Sequence, residues 1–153
     1  MPEIRRVIKE NWEELISLKV RRDQKSFVAS NLFSIAQAQF GEEFEGHWDL
    51  HPFGIYDGET AVGFLMYGLN YTHPTQQAFI IRLMVDENFQ RRGFGRFGME
   101  KMLEIFRKDP RINVVGISYE PENEGARKLY ASLGFEETGR VVEEEIEAVL
   151  KLR

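Results

Sequence analysis

A chain of 153 residues, 42% hydrophobic and 29% charged, fits one compact domain over residues 1–153 with a substantial core, which excludes the disordered, collagen-like and low-complexity classes. Its net charge of −5 argues against general nucleic-acid binding, which needs a basic face to displace counterions, and leans toward cationic partners. The absence of cysteine excludes disulfides, thiolate metal sites and a cysteine nucleophile.

Met1 to Glu10 mixes charges with isolated aliphatics, so neither a signal peptide nor a membrane span is expected, and a cytoplasmic address is the default. Alternation from Ile4 to Ile8 predicts a first strand, and Asn11 followed by Glu14 reads as a capping box opening a helix through Leu18. Phe27, Val28, Leu32, Ile35 and Ala36 recur at three- and four-residue steps, which predicts a second helix over Ser26 to Phe40, closed by Gly41. Gly41 to His51 is acidic and reads as irregular. His47 and His51 share an i, i+4 spacing, but Gly46 and Pro52 bracket them and no third ligand is evident, so no metal is expected.

Phe53 to Tyr56 and Ala61 to Leu69 flank Asp57-Gly58-Glu59-Thr60, turn chemistry that predicts a β-hairpin. After a turn-rich stretch from Asn70 to Thr75, the nearly all-apolar Ala78 to Val85 predicts a strand buried on both faces. The pattern then changes to a helix from Gly93 to about Lys108, a strand at Asn113 to Ser118, a helix from Asn123 to Leu133, and closing strands over Phe135 to Val142 and Ile146 to Leu152. Glu143-Glu144-Glu145 between the closing strands reads as a solvated hairpin turn. Strand, helix, strand, helix implies at least one parallel pair with its helix packed across the sheet. The expected fold class is α/β, with a mixed, largely antiparallel central sheet of about seven strands and about four helices.

The most informative stretch runs from Val85 through Gln90-Arg91-Arg92-Gly93-Phe94-Gly95-Arg96, out of a buried strand and into a helix start. Glycines let backbone N–H groups approach an anion closely, and the helix amino terminus adds partial positive charge, so a phosphate fits such a cradle. Gly93 to Gly98 also matches the dinucleotide pattern Gly-x-Gly-x-x-Gly by letter, but seven residues separate Val85 from Gly93 and too little chain follows for a doubly wound sheet. No Gly-Lys-Ser or Gly-Lys-Thr follows, which excludes a mononucleotide P-loop. Taken singly, Arg91, Arg92 and Arg96 are surface charges; clustered beside the glycines they suit phosphate oxygens.

Gln90-Arg91-Arg92-Gly93-Phe94-Gly95 resembles the Gln/Arg-x-x-Gly-x-Gly/Ala pyrophosphate loop of the GNAT N-acetyltransferase superfamily. Downstream, Asn123-Glu124-Gly125-Ala126-Arg127-Lys128-Leu129-Tyr130-Ala131-Ser132-Leu133-Gly134-Phe135 is similar to that superfamily's Asn-x-x-Ala-x-x-Leu-Tyr-x-x-x-Gly-Phe block. The resemblance implies an enzyme that moves acetyl from acetyl-CoA to a primary amine. It also implies a splayed parallel pair, Ala78 to Val85 against Asn113 to Ser118, with pantetheine between the strands on the backbone of Leu83, Met84 and Val85. By the same resemblance the loop from Gln90 to Arg96 binds the pyrophosphate, Asn123 hydrogen-bonds nearby, the Met84 N–H faces the thioester oxygen, and Tyr130 donates its phenolic proton to the coenzyme sulfur. From periodicity alone Tyr130 is a core residue, since Ala126, Leu129, Tyr130 and Leu133 form one apolar stripe.

Polyamine-acetylating members of the superfamily tend to carry a carboxylate on the buried strand, whereas this chain reads Ile80-Ile81-Arg82 there. The general base is therefore open among Glu42, Glu43, Glu45, Asp49, Glu120 and a water chain. Val20 to Phe40, with Gln24, Phe27 and Asn31, and the strands Phe53 to Tyr56 and Gly63 to Gly68 resemble bacterial spermine/spermidine acetyltransferases. A polycation would suit Glu42, Glu43, Glu45 and Asp49, because opposed charges steer encounter. The alternatives are another amine acceptor, such as a protein amino terminus, an amino acid or an aminoglycoside, and a non-catalytic acyl-CoA-binding module. The resemblance also admits a homodimer, since such enzymes often dimerise.

Overall fold

Turn chemistry and alternation organise the first half of the chain into a meander. The computed structural model describes residues 1–27 and 29–153, Ser26 and Phe27 by their backbone alone. Strand β1 (Pro2–Arg6) lies antiparallel to β3 (His47–Asp57), which turns through Gly58 and Glu59 into β4 (Thr60–Leu69). Gly58 sits at φ +61, which a two-residue hairpin turn demands of its first central residue. β4 pairs antiparallel with β5 (Ala78–Val85).

The second half supplies α3 (Phe94–Arg107), β6 (Val114–Tyr119), α4 (Glu124–Ser132), β7 (Glu136–Val142) and β8 (Glu145–Lys151). With the two-residue β2 (Glu42–Glu43) paired beside β3, the result is an eight-stranded sheet in the order β1-β3-β4-β5-β6-β8-β7. Among the described residues only β5 and β6 run parallel, and they pair through Ala78–Ile80 against Val115–Ile117. β5 continues to Val85 while β6 diverges, so the mixed sheet opens into a splay on one side of β5.

Both faces of the sheet are covered. Helix α3 lays Met99, Met102, Leu103 and Phe106 on one face, each fully burying side-chain area worth roughly 1.5–3 kcal/mol. Gly98 lets that helix approach, because a Cβ there would stand 3.0 Å from Ile55 and 3.2 Å from Leu83. On the opposite face Trp48, Leu50, Phe64, Met66 and Met84 form a second cluster under α2 (Asn31–Ala38), and Leu15 of α1 (Trp12–Ile16) packs with Tyr56 and Ala61 in a third. Among the described residues no helix is long and apolar enough to cross a membrane.

Three expectations are corrected. The single helix over Ser26 to Phe40 is replaced by a 3-10 turn at Arg22–Phe27 and then α2, which starts only at Asn31 because the Ser30 hydroxyl caps it by accepting from the Phe33 amide. Val28 and the side chain of Phe27, both part of the expected apolar stripe, lie outside the described residues. Asn11 does not cap α1; its side chain instead accepts from the Ile8 amide and donates to the Arg6 carbonyl, closing the turn after β1. The stretch from Gly41 to His51 is not irregular, since β2 folds back on β3 through Glu45 (φ +53) and Gly46 (φ +108), and Trp48 and Leu50 alternate inward.

Candidate active site

The glycine loop opens a groove of about 410 Å³ at the splayed end of β5. Gly93 caps α3 at φ +86 with nothing within 4 Å of a would-be Cβ, so the backbone there is open to a close-lying ligand. Arg91 also takes a left-handed conformation at φ +64, a cost on the order of 1 kcal/mol that turns the chain around the loop. Among the described residues no acceptor takes the amides of Gln90 to Arg96. A row of unclaimed donors at a helix head is a cradle for an anion.

Other walls of the groove come from Arg21, Gln24, Asn123, Ala126, Leu129 and Tyr130, with no carboxylate among the lining residues. Gln90 donates through Nε2 to Gln24 Oε1 (2.8 Å) and to the Val85 carbonyl (3.0 Å), tying the loop to the strand end. Asn123 caps α4, its side chain accepting from the Ala126 amide, and also lines the groove. Of the three arginines singled out by sequence, Arg91 lines the groove, Arg92 stacks over Phe89 at 5.5 Å, and Arg96 donates to Ser132 Oγ at 2.6 Å. Asn31 is buried, donating to the Leu15 carbonyl, and lines neither this groove nor the second cavity.

Strand register decides which main-chain groups of β5 face the groove. The Asp86 amide donates to the Val62 carbonyl, and the Met84 carbonyl lies against Gly63, so both residues turn their polar groups toward β4. Alternation then turns Leu83 and Val85 to the open side, as the bond from Gln90 to the Val85 carbonyl attests. The Met84 amide therefore points to β4, away from the groove.

Tyr130 sits in α4, 8% exposed, between the rings of Tyr119 (5.5 Å) and Phe135 (6.2 Å). It is both the core residue that periodicity suggests and a lining residue of the groove. Its hydroxyl has no hydrogen-bond partner among the described residues. Burial first, then the neighbouring Tyr119 and Glu145, push its pKa well above the usual tyrosine value, so it carries its proton throughout the neutral range. Tyr119, by contrast, is committed: its hydroxyl donates to Glu137 at 2.7 Å, and its pKa is pushed up to about 12, mainly by burial.

A second cavity, of about 590 Å³, opens on the same strand, with Phe79, Ile81 and Arg82 in its wall where Leu83 to Val85 wall the first. Five carboxylates line it: Glu42, Glu45, Glu143, Glu145 and Glu147. Glu45 is oriented by His73, whose Nδ1 accepts from the Gln76 amide (3.1 Å), leaving Nε2–H to donate to Glu45 at 3.0 Å. Arg140 spans the cavity at 3.7 Å from Glu45 and 4.0 Å from Glu147. Arg82 donates to the Ile81 carbonyl, while its Nε is buried without a partner, and burial lowers its pKa against the pull of Glu145 and Glu42.

Of the acidic residues expected on the acceptor side, Glu42 and Glu45 line this cavity, while Glu43 and Asp49 lie on His47 at 2.6 and 3.3 Å. Glu120 lines neither cavity. Sequence reasoning missed Glu143, Glu145 and Glu147, whose placement depends on β8 returning beside β6. His47 and His51 stand on a strand, where four residues span about 13 Å. His47 is raised in pKa by its bond to Glu43, and His51 stacks on Tyr67 at 5.3 Å with its pKa lowered by burial. No cluster of three or more metal-binding side chains occurs among the described residues. The chain thus places an anion cradle and a free phenol beside a carboxylate-walled chamber.

A model of the acetyltransferase (GNAT) family matches residues 9–135. The spermine/spermidine N(1)-acetyltransferase of Bacillus subtilis (strain 168) is 25% identical over 142 residues, which span 90% of this chain and 90% of that protein. The crystal structure of spermidine N-acetyltransferase from Vibrio cholerae in complex with CoA and spermine superposes with a TM-score of 0.75 at 17% identity, covering 99% of this chain and 95% of that one. The ribosomal-protein-S18-alanine N-acetyltransferase from Escherichia coli superposes at 0.72 and 17% identity, over 99% and 94% of the two chains. At such identities the two structures speak for the fold alone.

Proposed function

The chain belongs to the acetyltransferase (GNAT) family and is an acetyl-CoA-dependent N-acetyltransferase, and we propose that its acceptor is a polyamine such as spermidine or spermine. The observation that carries this reading is the chamber walled by Glu42, Glu45, Glu143, Glu145 and Glu147. Several carboxylates spread over one cavity suit a ligand with several ammonium groups better than a single amino terminus. The Bacillus subtilis relative named for spermine and spermidine supports the same reading.

The groove residues fit the coenzyme in charge and in hydrogen bonding. The free amides from Gln90 to Arg96, with Arg21 and Arg91, suit a diphosphate, and Leu83 and Val85 offer strand edges to pantetheine amides. We assign the amide facing the thioester oxygen to Leu83 rather than Met84, because register turns Met84 toward β4. An amide fixed in a strand stabilises a developing oxyanion without reorganising. Tyr130 supplies a proton to the departing sulfur, a role that its raised pKa favours by keeping it protonated.

The test is thiol release from acetyl-CoA across a panel of acceptors. Spermidine or spermine should turn over, and an alanine-terminated peptide and single amino acids should not. Turnover with the peptide alone would replace the polyamine by a protein amino terminus, and coenzyme binding without any turnover would leave a binding module.

A further inference from the structure

The acidic chamber has one carboxylate placed differently from the rest. Glu42 accepts from Gln37 Nε2 at 2.6 Å, Glu45 is bonded by His73, and Glu147 is bonded by Thr138 at 3.1 Å with Arg140 beside it. Glu143 stands on the turn before β8 at φ +50. Glu145, the first residue of β8, accepts only from Ser118 Oγ, at 2.6 Å on Oε1, and no cation among the described residues pairs with it within 4 Å. Its Oε2 is uncommitted.

Position distinguishes it further. Ser118 follows Ile117, the last residue through which β6 pairs with β5, so Glu145 is fixed at the mouth of the splay. From there its charge acts on both Tyr130, in the coenzyme groove, and Arg82, in the wall of the acidic chamber. Glu145 thus lines the acidic chamber within electrostatic reach of Tyr130 in the groove, and β5, the strand between the two cavities, carries no acid.

We propose that Glu145, aimed by Ser118, is the general base that deprotonates the acceptor ammonium. The inference rests on the acetyltransferase reading. One N–H proton passes from the ammonium to Glu145 Oε2, giving a neutral amine and a carboxylic acid. The amine lone pair forms the N–C bond at the thioester carbonyl carbon, the C–S bond breaks, and Tyr130 gives its proton to sulfur. The second proton lost from nitrogen returns to Tyr130, and Glu145 releases its own to solvent, so one proton is released per turnover. The charged and titratable groups around Glu145 are Arg82 on β5, Tyr130 on α4, Glu42 on β2 and Glu147 on β8. Glu143, Arg140, Glu45 and His73 complete the charged and titratable lining.

The experiment compares the full chain with Glu145→Gln, measuring kcat for spermidine acetylation from pH 6.5 to 10, coenzyme A affinity by calorimetry, and melting temperature. A lost base should lower kcat about 100-fold at pH 7.5, and the loss should shrink toward pH 10, where the amine deprotonates unaided. Coenzyme affinity should stay within about twofold, since the carboxylate is outside the anion cradle. A loss under about threefold, or one equal at every pH, overturns the proposal and leaves Glu145 as a tie between β6 and β8. If Glu145→Gln does not fold, Ser118→Ala frees the same carboxylate; it should lower kcat about fivefold at pH 7.5 with recovery by pH 10, and an unchanged kcat overturns the proposal. Failure of the wild type to bind coenzyme A is a separate result that removes the acetyltransferase reading itself.

Discussion

The two cavities that share β5 present different kinds of polar surface. In the groove, main-chain amides at the head of α3 stand open beside Arg21 and Arg91, and no carboxylate is among the lining residues. The chamber is lined by side-chain charges, five carboxylates gathered from β2, from the turn after it, and from the turn before β8 and β8 itself, with Arg82 and Arg140 among them. Main-chain donors do not titrate and survive most substitutions, so the anion site is vulnerable chiefly at its glycines. Side-chain charges titrate, are screened by salt, and can be exchanged one at a time. On the proposed function, a coenzyme common to a whole family meets the first kind of surface, and the variable acceptor meets the second.

Substitutions should separate the two surfaces. The largest effect is expected where they meet: Tyr130→Phe should lower kcat about 100-fold with coenzyme affinity unchanged, as steady-state kinetics and calorimetry together would establish. The wild-type kcat should also show no loss attributable to Tyr130 up to pH 10, because burial raises its pKa and keeps the proton in place. Gly93→Val forces a β-branched residue into φ +86, at a cost of about 1–2 kcal/mol, and should weaken coenzyme A about tenfold while sparing the acceptor KM. Glu147→Gln should do the reverse, raising the spermidine KM about fivefold at low salt and less at 0.5 M salt, with coenzyme affinity intact. Arg91→Ala, which removes one charge and leaves the amides, should weaken coenzyme A only about threefold. Any of these crossing over, with Gly93 moving the amine or Glu147 moving the coenzyme, would break the division.

The same contrast explains what could be read in the sequence. The glycine loop, α3, α4 and β5 carry their signals locally, in the Gly93 and Gly95 spacing, the apolar stripe through Leu129 and Tyr130, and the nearly all-apolar run from Ala78 to Val85. The first six residues of β3 had such a signal too, in Trp48 and Leu50 alternating with His47, Asp49 and His51, but the surrounding acids obscured it. Long-range pairing left no local trace. Glu145 and Glu147 read as part of a solvated turn and its strand because only the pairing of β8 with β6 turns them into the chamber. The preference for Leu83 over Met84 depends on register with β4, which a nearly all-apolar strand does not encode.

Calorimetric titration with coenzyme A and, in parallel, with pantetheine, which lacks the diphosphate, tests the central claim most directly. If the amides between Gln90 and Arg96 hold the diphosphate, coenzyme A should bind and pantetheine should bind at least about 100-fold more weakly. Equal affinities, or no heat from either, would contradict the account.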